Sequence, residues 1–590
     1  MTSFEVWAPD KTVKLRLAGE DREMARGADG WWRLDVPEAG PGTDYAYVLP
    51  DGDTALPDPR SPWQPQGVHG PSRVYDQAAF PWTDGAWTGR QLPGAVLYEM
   101  HVGTFTPQGT FDAAIGKLDH LADLGVDLVE LLPVGSFNGE YNWGYDGVCW
   151  FAPHEAYGGP DGLKRFVDAA HRRGLGVILD VVYNHFGPSG AYAPMFAPYL
   201  GAGANPWGAS VNLDGPHADE VRRYIIDSAL LWLRDYHADG LRLDAVHALV
   251  DHSAINLLEQ LAVEVETLSA HVGRPLSLIA ESDLNDPKLI TSREAGGFGL
   301  HGQWADDVHH ALHTLLTGER QGYYGDFGSL ECLRTVLEGA FFHADTWSSF
   351  RQRRHGRPVD RARTPGHRFV AYLQNHDQIG NRAVGDRLGA LLSPGMLKVG
   401  ATLLFTAPFT PMLFMGEEWA ASSPWQFFTS HPEPELADAV RNGRRREFAA
   451  HGWAEAEVPD PQDPATFERS KLDWAEAGKP GHAEILDLYK KLIALRRSRP
   501  ELSDPWLDQV EVWHGDQYVV MRRGNCAVAA NLAAVPQSVS LRQPPSKVLL
   551  ATEPGVALQR DRVELPAESA VVVAYRPSDR PAATLDRTEG

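Results

Sequence analysis

The stretch Gly240-Leu-Arg-Leu-Asp-Ala-Val-His-Ala-Leu249 joins a short apolar run to a polar end. Leu241 to Leu243 predict a buried strand, and Asp244 stands where this strand passes into a loop. Arg242 and Asp244 are two residues apart, so a strand places both side chains on one face. The neighbouring cation favours the ionised carboxylate, which suits a nucleophile. Alone, such a pair is more often a structural ion pair than a catalytic one, so its meaning depends on the rest of the chain.

Around this stretch, apolar runs of strand length alternate with helical segments from about residue 95 onward. The pattern predicts eight strands: Ala95–Val102, Val126–Val134, Gly176–His185, Leu241–Val246, Leu276–Glu281, Gly299–Ala305, Arg368–Asn375 and Pro411–Glu417. Repeated strand–helix alternation favours parallel strands with helical crossovers. Eight such units predict an α/β fold, a (β/α)8 TIM barrel with insertions. Residues 317–367, which carry six arginines between Arg351 and Arg363, look inserted and are interpreted as a solvated or ion-paired loop.

The two ends of the chain have a different pattern, in which short alternating runs are separated by Gly and Pro. This pattern is typical of antiparallel β-structure. We expect an N-terminal β-sandwich over residues 1–92, the barrel over 93–502 and a C-terminal antiparallel β-domain over 503–590. The sandwich is expected to be immunoglobulin-like and to resemble a carbohydrate-binding module. Its tryptophans leave two roles open, glycan binding and packing.

Composition limits the classes of partner. The 590 residues contain 54 Lys and Arg against 78 Asp and Glu, a net charge of −24, which disfavours nucleic acid and anionic membranes. Three cysteines without metal-type spacing and an N-terminus without a signal-peptide pattern favour a reducing, cytoplasmic setting. The most apolar region, Val399–Met415, contains two prolines and three threonines, so we interpret it as a buried helix end and a buried strand.

Polar side chains interrupt four predicted strands where each strand ends. They are Asp180, Asn184 and His185 after the third strand, Arg242, Asp244 and His247 after the fourth, Glu281 and Asp283 after the fifth, and Asn375, His376 and Asp377 after the seventh. Active sites of such barrels lie at the C-terminal ends of the strands. Burying this much charge without a function costs several kcal/mol per ion. Carboxylates with aromatic residues nearby suit glycoside hydrolysis, and no nucleophilic Ser or Cys motif, phosphate loop or zinc spacing competes.

These strand ends resemble glycoside hydrolase family 13, the α-amylase superfamily. The matching motifs are Asp180-Val-Val-Tyr-Asn-His185, Gly240-Leu-Arg-Leu-Asp244, Ala280-Glu281 and Asn375-His-Asp377. The resemblance implies that Asp244 is the nucleophile, Glu281 the general acid/base and Asp377 a ligand of sugar hydroxyls that helps to keep Glu281 protonated. It further implies substrate-binding roles for His185, His376, Arg242, Gln378 and Tyr145, with Tyr145 as a stacking platform at the −1 subsite. Asp180 is expected to brace the site.

Three further stretches narrow the resemblance to the trehalose-releasing branch of this family. They are Ala280–Pro287, Gln303–His310 and Gly416–Pro424. The implied reaction is retaining hydrolysis of the α-1,4 bond between a maltooligosyl chain and a terminal trehalose, so the expected partners are maltooligosyl trehalose and related α-glucans. No cofactor is implied. Asn184 matches a calcium-ligand position of some relatives, but its partner ligands are not evident, so no metal is predicted.

The side of the cleft that holds trehalose has its own candidate residues. Trp207, Asp306, Asp307 and the loop Glu417–Trp419 are candidate contacts, because they follow barrel strands or lie in the narrowing stretches. Asp306 and Asp307 also fit a role at the start of the next helix. A branching or debranching enzyme on the same barrel and a non-catalytic glucan-binding protein remain alternative functions, and the oligomeric state is left open.

Overall fold

The structure is a computed structural model that describes residues 2–50, 54–449 and 458–576. The chain divides into two compact units. The first comprises Met1–Trp304, Arg368–Ala390 and Thr410–Leu486, and the second Ala305–His367, Leu391–Phe409 and Asp487–Gly590. The boundaries expected from the sequence at residues 92 and 502 remain a prediction.

Eight parallel strands close into a barrel in the first unit, which confirms the predicted fold class. In chain order these barrel strands are Leu97–Met100, Leu128–Leu131, Gly176–Val181, Gly240–Leu243, Ser277–Ala280, Gly302–Trp304, Phe369–Tyr372 and Thr410–Phe414. Each strand pairs with the next, and the eighth pairs with the first through Met412 opposite Leu97. All eight are shorter than the predicted runs. Asp244, Glu281 and Asn375 lie in the loops that follow their strands, whereas Asp180 and Arg242 lie within the third and fourth strands.

Large apolar side chains fill the lower part of the barrel. Leu97, Leu128, Ile178, Ile279 and Met412 belong to one buried cluster, to which Trp304 and Tyr372 also contribute. Burying each aliphatic side chain contributes about 1.5–3 kcal/mol. The fourth strand begins with a glycine for a steric reason: a Cβ at Gly240 would lie 2.7 Å from the carbonyl oxygen of Ser277 on the fifth strand.

Two antiparallel sheets precede the barrel in the first unit. One contains Thr2–Trp7, Trp31–Val36 and Ala25–Arg26, and the other contains Glu20–Glu23, Lys14–Leu17, Asp44–Val48, Ala55–Leu56 and Ser72–Arg73. The rings of Phe4 and Tyr45 meet edge to face between them, with centroids 4.8 Å apart. Two hairpins interrupt the barrel loops, Gly135–Ser136 with Cys149–Pro153 and Leu200–Asn205 with Gly208–Val211.

The second unit contains the expected C-terminal β-structure. A five-stranded sheet has the order Val510–His514, Tyr518–Arg523, Cys526–Asn531, Ser569–Ala574 and Lys547–Ala551, and a three-stranded sheet has the order Gln537–Ser540, Arg562–Leu565 and Ala557–Gln559. Residues 317–367 also lie in this unit and are more ordered than the predicted loop, since they form a helix, Leu330–Gly339, and a hairpin, Thr346–Ser348 with Arg353–His355.

The α-helices of the described residues vary from one turn to nearly five. They are Val102–Phe105, Phe111–Ile115, Leu118–Leu124, Gly159–His171, Ala193–Phe196, Ala218–Arg234, Leu257–Val272, Asp306–Thr317, Leu330–Gly339, His376–Gly380, Leu388–Leu391, Pro394–Thr406, Pro434–Ala449, Pro464–Arg469, His482–Ser498 and Pro500–Ser503. Pro394–Thr406 and the eighth barrel strand confirm the interpretation of Val399–Met415. Within the described ranges, no helix is long and apolar enough to cross a membrane.

Candidate active site

Arg242 is the centre of a carboxylate cluster at the C-terminal ends of the third, fourth and fifth barrel strands. Its Nη1 atom donates to both carboxylate oxygens of Asp180, at 2.9 Å each, and to Oδ1 of Asp244 at 2.8 Å. Nη2 lies 3.7 Å from Oε2 of Glu281. The guanidinium is closed to solvent and lies 4.3 Å above the Trp304 ring. One buried cation therefore contacts three acids, which gives it a much stronger role than an isolated surface ion pair.

The backbone after the fourth strand joins the two acids that remain partly accessible. Asp244 and Glu281 have side-chain exposures of 12% and 16%. Ala245 has a left-handed backbone, with φ +39°, and its N–H donates to Oε2 of Glu281 at 2.6 Å. Asn184 Nδ2 donates to Oδ2 of Asp244 at 2.7 Å. A left-handed non-glycine residue costs about 1–3 kcal/mol, so the surrounding contacts maintain a strained turn that connects the two carboxylates.

A chain of hydrogen bonds links the seventh strand to this cluster. Tyr145 donates its hydroxyl proton to Oδ2 of Asp180 at 2.6 Å, and His376 Nε2 lies 2.8 Å from the same hydroxyl. Asp377 Oδ1 is 3.5 Å from His376 Nε2, and the Asp377 side chain is 43% exposed. Burial lowers the pKa of His376, but Asp377 and Glu99 outweigh burial and raise it to about 9. The imidazolium can then donate to Tyr145, which in turn donates to Asp180.

Two acids inside the barrel were missed in the sequence. Glu99 on the first strand accepts from His376 Nδ1 at 2.5 Å and from the His376 backbone N–H at 2.9 Å. Glu130, its neighbour on the second strand, is buried. Burial and the charge of Glu99 raise the pKa of Glu130 well above its usual range, so it is neutral. A carboxylate inside an apolar strand was the available signal for both, but only residues at the strand ends were considered.

The loop Asn142-Trp-Gly-Tyr-Asp-Gly147 presents Tyr145 in a fixed position. Gly144 has φ +109°, and a Cβ there would lie 2.3 Å from the carbonyl oxygen of Pro133, so no other residue fits without displacing the backbone. The side-chain oxygen of Asn142 accepts from the Gly144 N–H at 2.7 Å. Trp143 stacks on Trp425, with centroids 5.4 Å apart, and anchors the loop from below.

His185 and Trp207 lie together beside Asn184. His185 Nδ1 is 2.5 Å from Oδ1 of Asn184, and its Nε2 is 3.1 Å from the Tyr145 carbonyl oxygen. Burial lowers the pKa of His185, while Asp244 and Asp146 act in the opposite direction. Trp207 lies in the turn of the hairpin Leu200–Val211, is 49% exposed and stacks against His185, with centroids 5.8 Å apart. It offers an open aromatic face next to the carboxylate cluster.

The other candidate site residues are Gln378, Glu417 and Asp307. The Gln378 N–H donates to the side chain of Asn375, which caps the helix His376–Gly380. Glu417 is buried and accepts from the Phe414 N–H at 3.3 Å. Asp307 belongs to the second unit, where its Oδ2 accepts from the N–H groups of Phe342 and His343 at 2.8 and 2.9 Å. The N-cap of the helix Asp306–Thr317 is Ala305, and both aspartates lie in the first turn of this helix.

Among the residues that the structure describes, no group of three or more His, Cys, Asp or Glu side chains could hold a metal ion. The donor set around Arg242 is also unsuited to one, because the guanidinium already neutralises the acids that it contacts. The side chains that surround Arg242 and Tyr145 are carboxylates, an imidazole and an indole ring.

Comparisons with known proteins agree with this geometry. The family model of the alpha amylase catalytic domain matches residues 74–194, and a domain of unknown function, DUF3459, matches residues 505–572. Malto-oligosyltrehalose trehalohydrolase from Mycobacterium tuberculosis is 56% identical over 91% of this chain and 94% of its own length. The enzyme of the same name from Arthrobacter ramosus is 59% identical over 84% and 87%. This chain belongs to the malto-oligosyltrehalose trehalohydrolase family.

The fold of this chain also matches that of a solved structure. A crystal structure from Salmonella typhimurium, provisionally named as an alpha amylase, is 40% identical, covers 97% of each chain and superposes with a TM-score of 0.89. The resemblance to family 13 that the strand ends indicate is therefore confirmed at the level of the whole chain, together with its assignment to the glycosidases.

Proposed function

We propose that this chain hydrolyses the α-1,4-glucosidic bond between the maltooligosyl chain and the terminal trehalose of maltooligosyl trehalose and releases free trehalose. The observation that supports it most directly is the contact of Asp244 and Glu281 with one guanidinium, that of Arg242, at the open end of the barrel. The names of relatives that are 56–59% identical supply the substrate.

In the proposed mechanism, Asp244 is the nucleophile. Arg242 and Asn184 hold one oxygen each of its carboxylate, which fixes the direction of attack on the anomeric carbon. The bond from that carbon to the trehalose oxygen breaks as the bond to Asp244 forms. Glu281 gives its proton to the departing oxygen, and the strained turn at Ala245 positions its carboxyl group. Two carboxyl groups in nucleophile and acid roles belong to the retaining mechanism.

The second step restores the enzyme. Glu281, now ionised, accepts a proton from water, whose oxygen attacks the anomeric carbon and displaces Asp244. The glucan leaves with a new reducing end, and Glu281 regains its proton. Retention requires the carboxyl groups of Asp244 and Glu281 to lie about 5–5.5 Å apart.

We assign the −1 subsite to the residues that surround this pair. Asp377, the most exposed of the acids, is placed to accept hydrogen bonds from sugar hydroxyls, and His376 is held beside it by Glu99. His185 borders the same subsite, because its Nε2 lies 3.1 Å from the Tyr145 carbonyl oxygen. Tyr145 offers its ring as a stacking surface, and its hydroxyl is held by Asp180.

For the trehalose side, the surroundings favour Trp207. Its open ring lies beside His185, and an aromatic face suits the apolar face of a sugar ring. Asp307, Gln378 and Glu417 stay proposals of lower rank, since the contacts described above engage the Asp307 and Glu417 carboxylates with backbone N–H groups. We place the reaction in the cytoplasm, in keeping with three free, buried cysteines.

Product analysis tests the proposal. The protein should release trehalose from maltopentaosyl trehalose and leave amylopectin without new branches. Asp244→Asn should abolish release, whereas Asp235→Asn, a change in an exposed Arg234–Asp235 pair, should not. Branch transfer or debranching of amylopectin in place of trehalose release would indicate the alternative enzyme on the same barrel. An Asp244→Asn protein as active as the wild type would exclude the assigned nucleophile.

A further inference from the structure

A cleft of about 470 Å³ in the first unit is separate from the carboxylate cluster. Tyr141, Phe467, Ser430, Glu140, Glu468 and Pro432 are among its lining residues. Its volume is within the range of small-molecule sites. None of the roles assigned above uses it.

The stacked rings of Tyr141 and Phe467 form part of the wall of this cleft, and we call this pair the aromatic plate. The rings of Tyr141 and Phe467 are nearly parallel, with 5° between their planes and centroids 4.6 Å apart. Lys471 Nζ lies 4.7 Å over the Phe467 ring. Ser430 Oγ accepts from the N–H groups of Glu140 and Tyr141 and donates to the Tyr141 carbonyl oxygen, all within 2.9 Å. The Tyr141 ring is thus preorganised while its side chain remains partly exposed.

The charges around the plate select the class of ligand. Glu140 and Glu468 line the cleft. Burial raises the pKa of Tyr141, and Glu140, Asp463 and Asp460 raise it further. Glu468 is paired with Lys471 at 2.8 Å. Carboxylates accept hydrogen bonds but do not donate them, so Glu140 and Glu468 suit hydroxyl donors. An aromatic face with flanking acceptors fits a neutral sugar.

The cleft and the active site share one rigid loop. Tyr141 precedes Tyr145 by four residues, so their Cα atoms can be at most about 14 Å apart. Trp143 fixes the segment between them, because it stacks on Trp425 and donates from Nε1 to the Gln426 carbonyl oxygen at 3.0 Å. One short, well-packed segment therefore supplies residues both to the cleft and to the proposed −1 subsite.

We propose that the Tyr141 cleft binds glucosyl units of the maltooligosyl chain that are remote from the bond being cleaved. The assignment rests on the proposed function for its ligand. The cleft therefore makes KM depend on the length of the substrate, because only longer chains reach the aromatic plate.

Steady-state kinetics of the full chain tests this assignment with two substrates. They are maltosyl trehalose and a trehalose-ended substrate of seven glucosyl units. Tyr141→Leu, which retains apolar packing but has no aromatic face, should raise KM for the long substrate about fivefold, the effect of one aromatic contact, and leave kcat and the short substrate unchanged. Tyr141→Phe should behave as the wild type. Tyr75→Ala, a partly exposed tyrosine of the N-terminal region, serves as the matched control and should also change nothing.

Direct binding separates this proposal from the proposed function. Calorimetry with maltoheptaose and the Asp244→Asn protein should show about fivefold weaker binding when Tyr141→Leu is added. This holds even if the wild type releases no trehalose, in which case only the catalytic proposal fails. Unchanged affinity in the double variant, or an equal rise of KM for short and long substrates, would overturn the cleft assignment.

Discussion

Nη1 of Arg242 lies 2.9 Å from both carboxylate oxygens of Asp180, and both side chains are closed to solvent. The same nitrogen holds Asp244, so one atom connects a structural acid to the proposed nucleophile. Burial raises the pKa of Asp180 to about 6 against the effect of Arg242, and Asp244 adds to the rise. The position of Asp244 therefore depends on an ion pair that is closed to solvent.

Arg242→Lys should lower kcat far more than it alters the fold. A lysine ammonium cannot span Asp180, Asp244 and Glu281 as the planar guanidinium does. Displacing Asp244 by about 1 Å from its position of attack is enough to cost about 10²-fold in kcat. Initial rates of trehalose release measure the loss, and circular dichroism checks the fold. Arg223→Lys, in a more exposed pair with Asp227, should stay within a factor of about two. A kcat within about threefold of the wild type for Arg242→Lys would contradict the shared role.

Glu281→Gln should lose most of its activity on a sugar leaving group but much less on an activated one. General acid–base catalysis contributes about 10²–10⁴-fold, and glutamine cannot supply the proton. A nitrophenyl leaving group departs without protonation, so the rate of its first-turnover burst should be nearly that of the wild type. Asp283→Asn, two residues further on and 43% exposed, is the control. Equal losses on both substrates would point to misplacement of Asp244 instead of loss of the acid.

The polar strand ends were predictable because their signal is local. Asp244 and Glu281 each follow an apolar run directly, and parallel strands bring such ends to one side of a barrel. Glu99 was not found, although it bonds to His376, because 277 residues separate the two and only the closed barrel brings them together. The backbone of Ala245 gave no signal either, since alanine rarely has positive φ and its conformation is imposed by tertiary contacts.

Asp307 shows the limit of reasoning from motifs. Its position at the start of a helix fits both a ligand contact and a role at the helix N-terminus. The structure shows a third arrangement, in which its carboxylate accepts from the backbone of Phe342 and His343. These partners lie in residues 317–367, whose order the sequence did not reveal.

Stability should fall between about pH 6.5 and pH 9 because of His376. Its folded pKa, about 9, exceeds the unfolded value near 6.5, so its stabilisation is complete below pH ~6.5 and is lost as the pH rises through 9. The shift corresponds to about 3 kcal/mol at most. Denaturant unfolding followed by tryptophan fluorescence at several pH values measures it. Glu99→Gln removes one of the charges that raise this pKa and should flatten the slope. An unchanged slope would assign the dependence to His171, whose pKa Asp239 and Asp84 raise against burial.

Trp207→Ala should weaken selection of the trehalose end more than cleavage itself. Its ring is half exposed and stacks on His185, so removing it takes away an aromatic contact worth about 1 kcal/mol without breaking the carboxylate cluster. We expect the ratio of kcat/KM for maltopentaosyl trehalose to that for maltohexaose to fall about fivefold, with kcat on maltohexaose little changed. Trp207→Phe should keep most of the ratio because it keeps an aromatic face. The exposed Trp347 of the second unit provides a matched alanine control. If Trp207→Ala lowers both kcat/KM values equally, Trp207 supports the −1 side through His185 and does not distinguish trehalose from glucan.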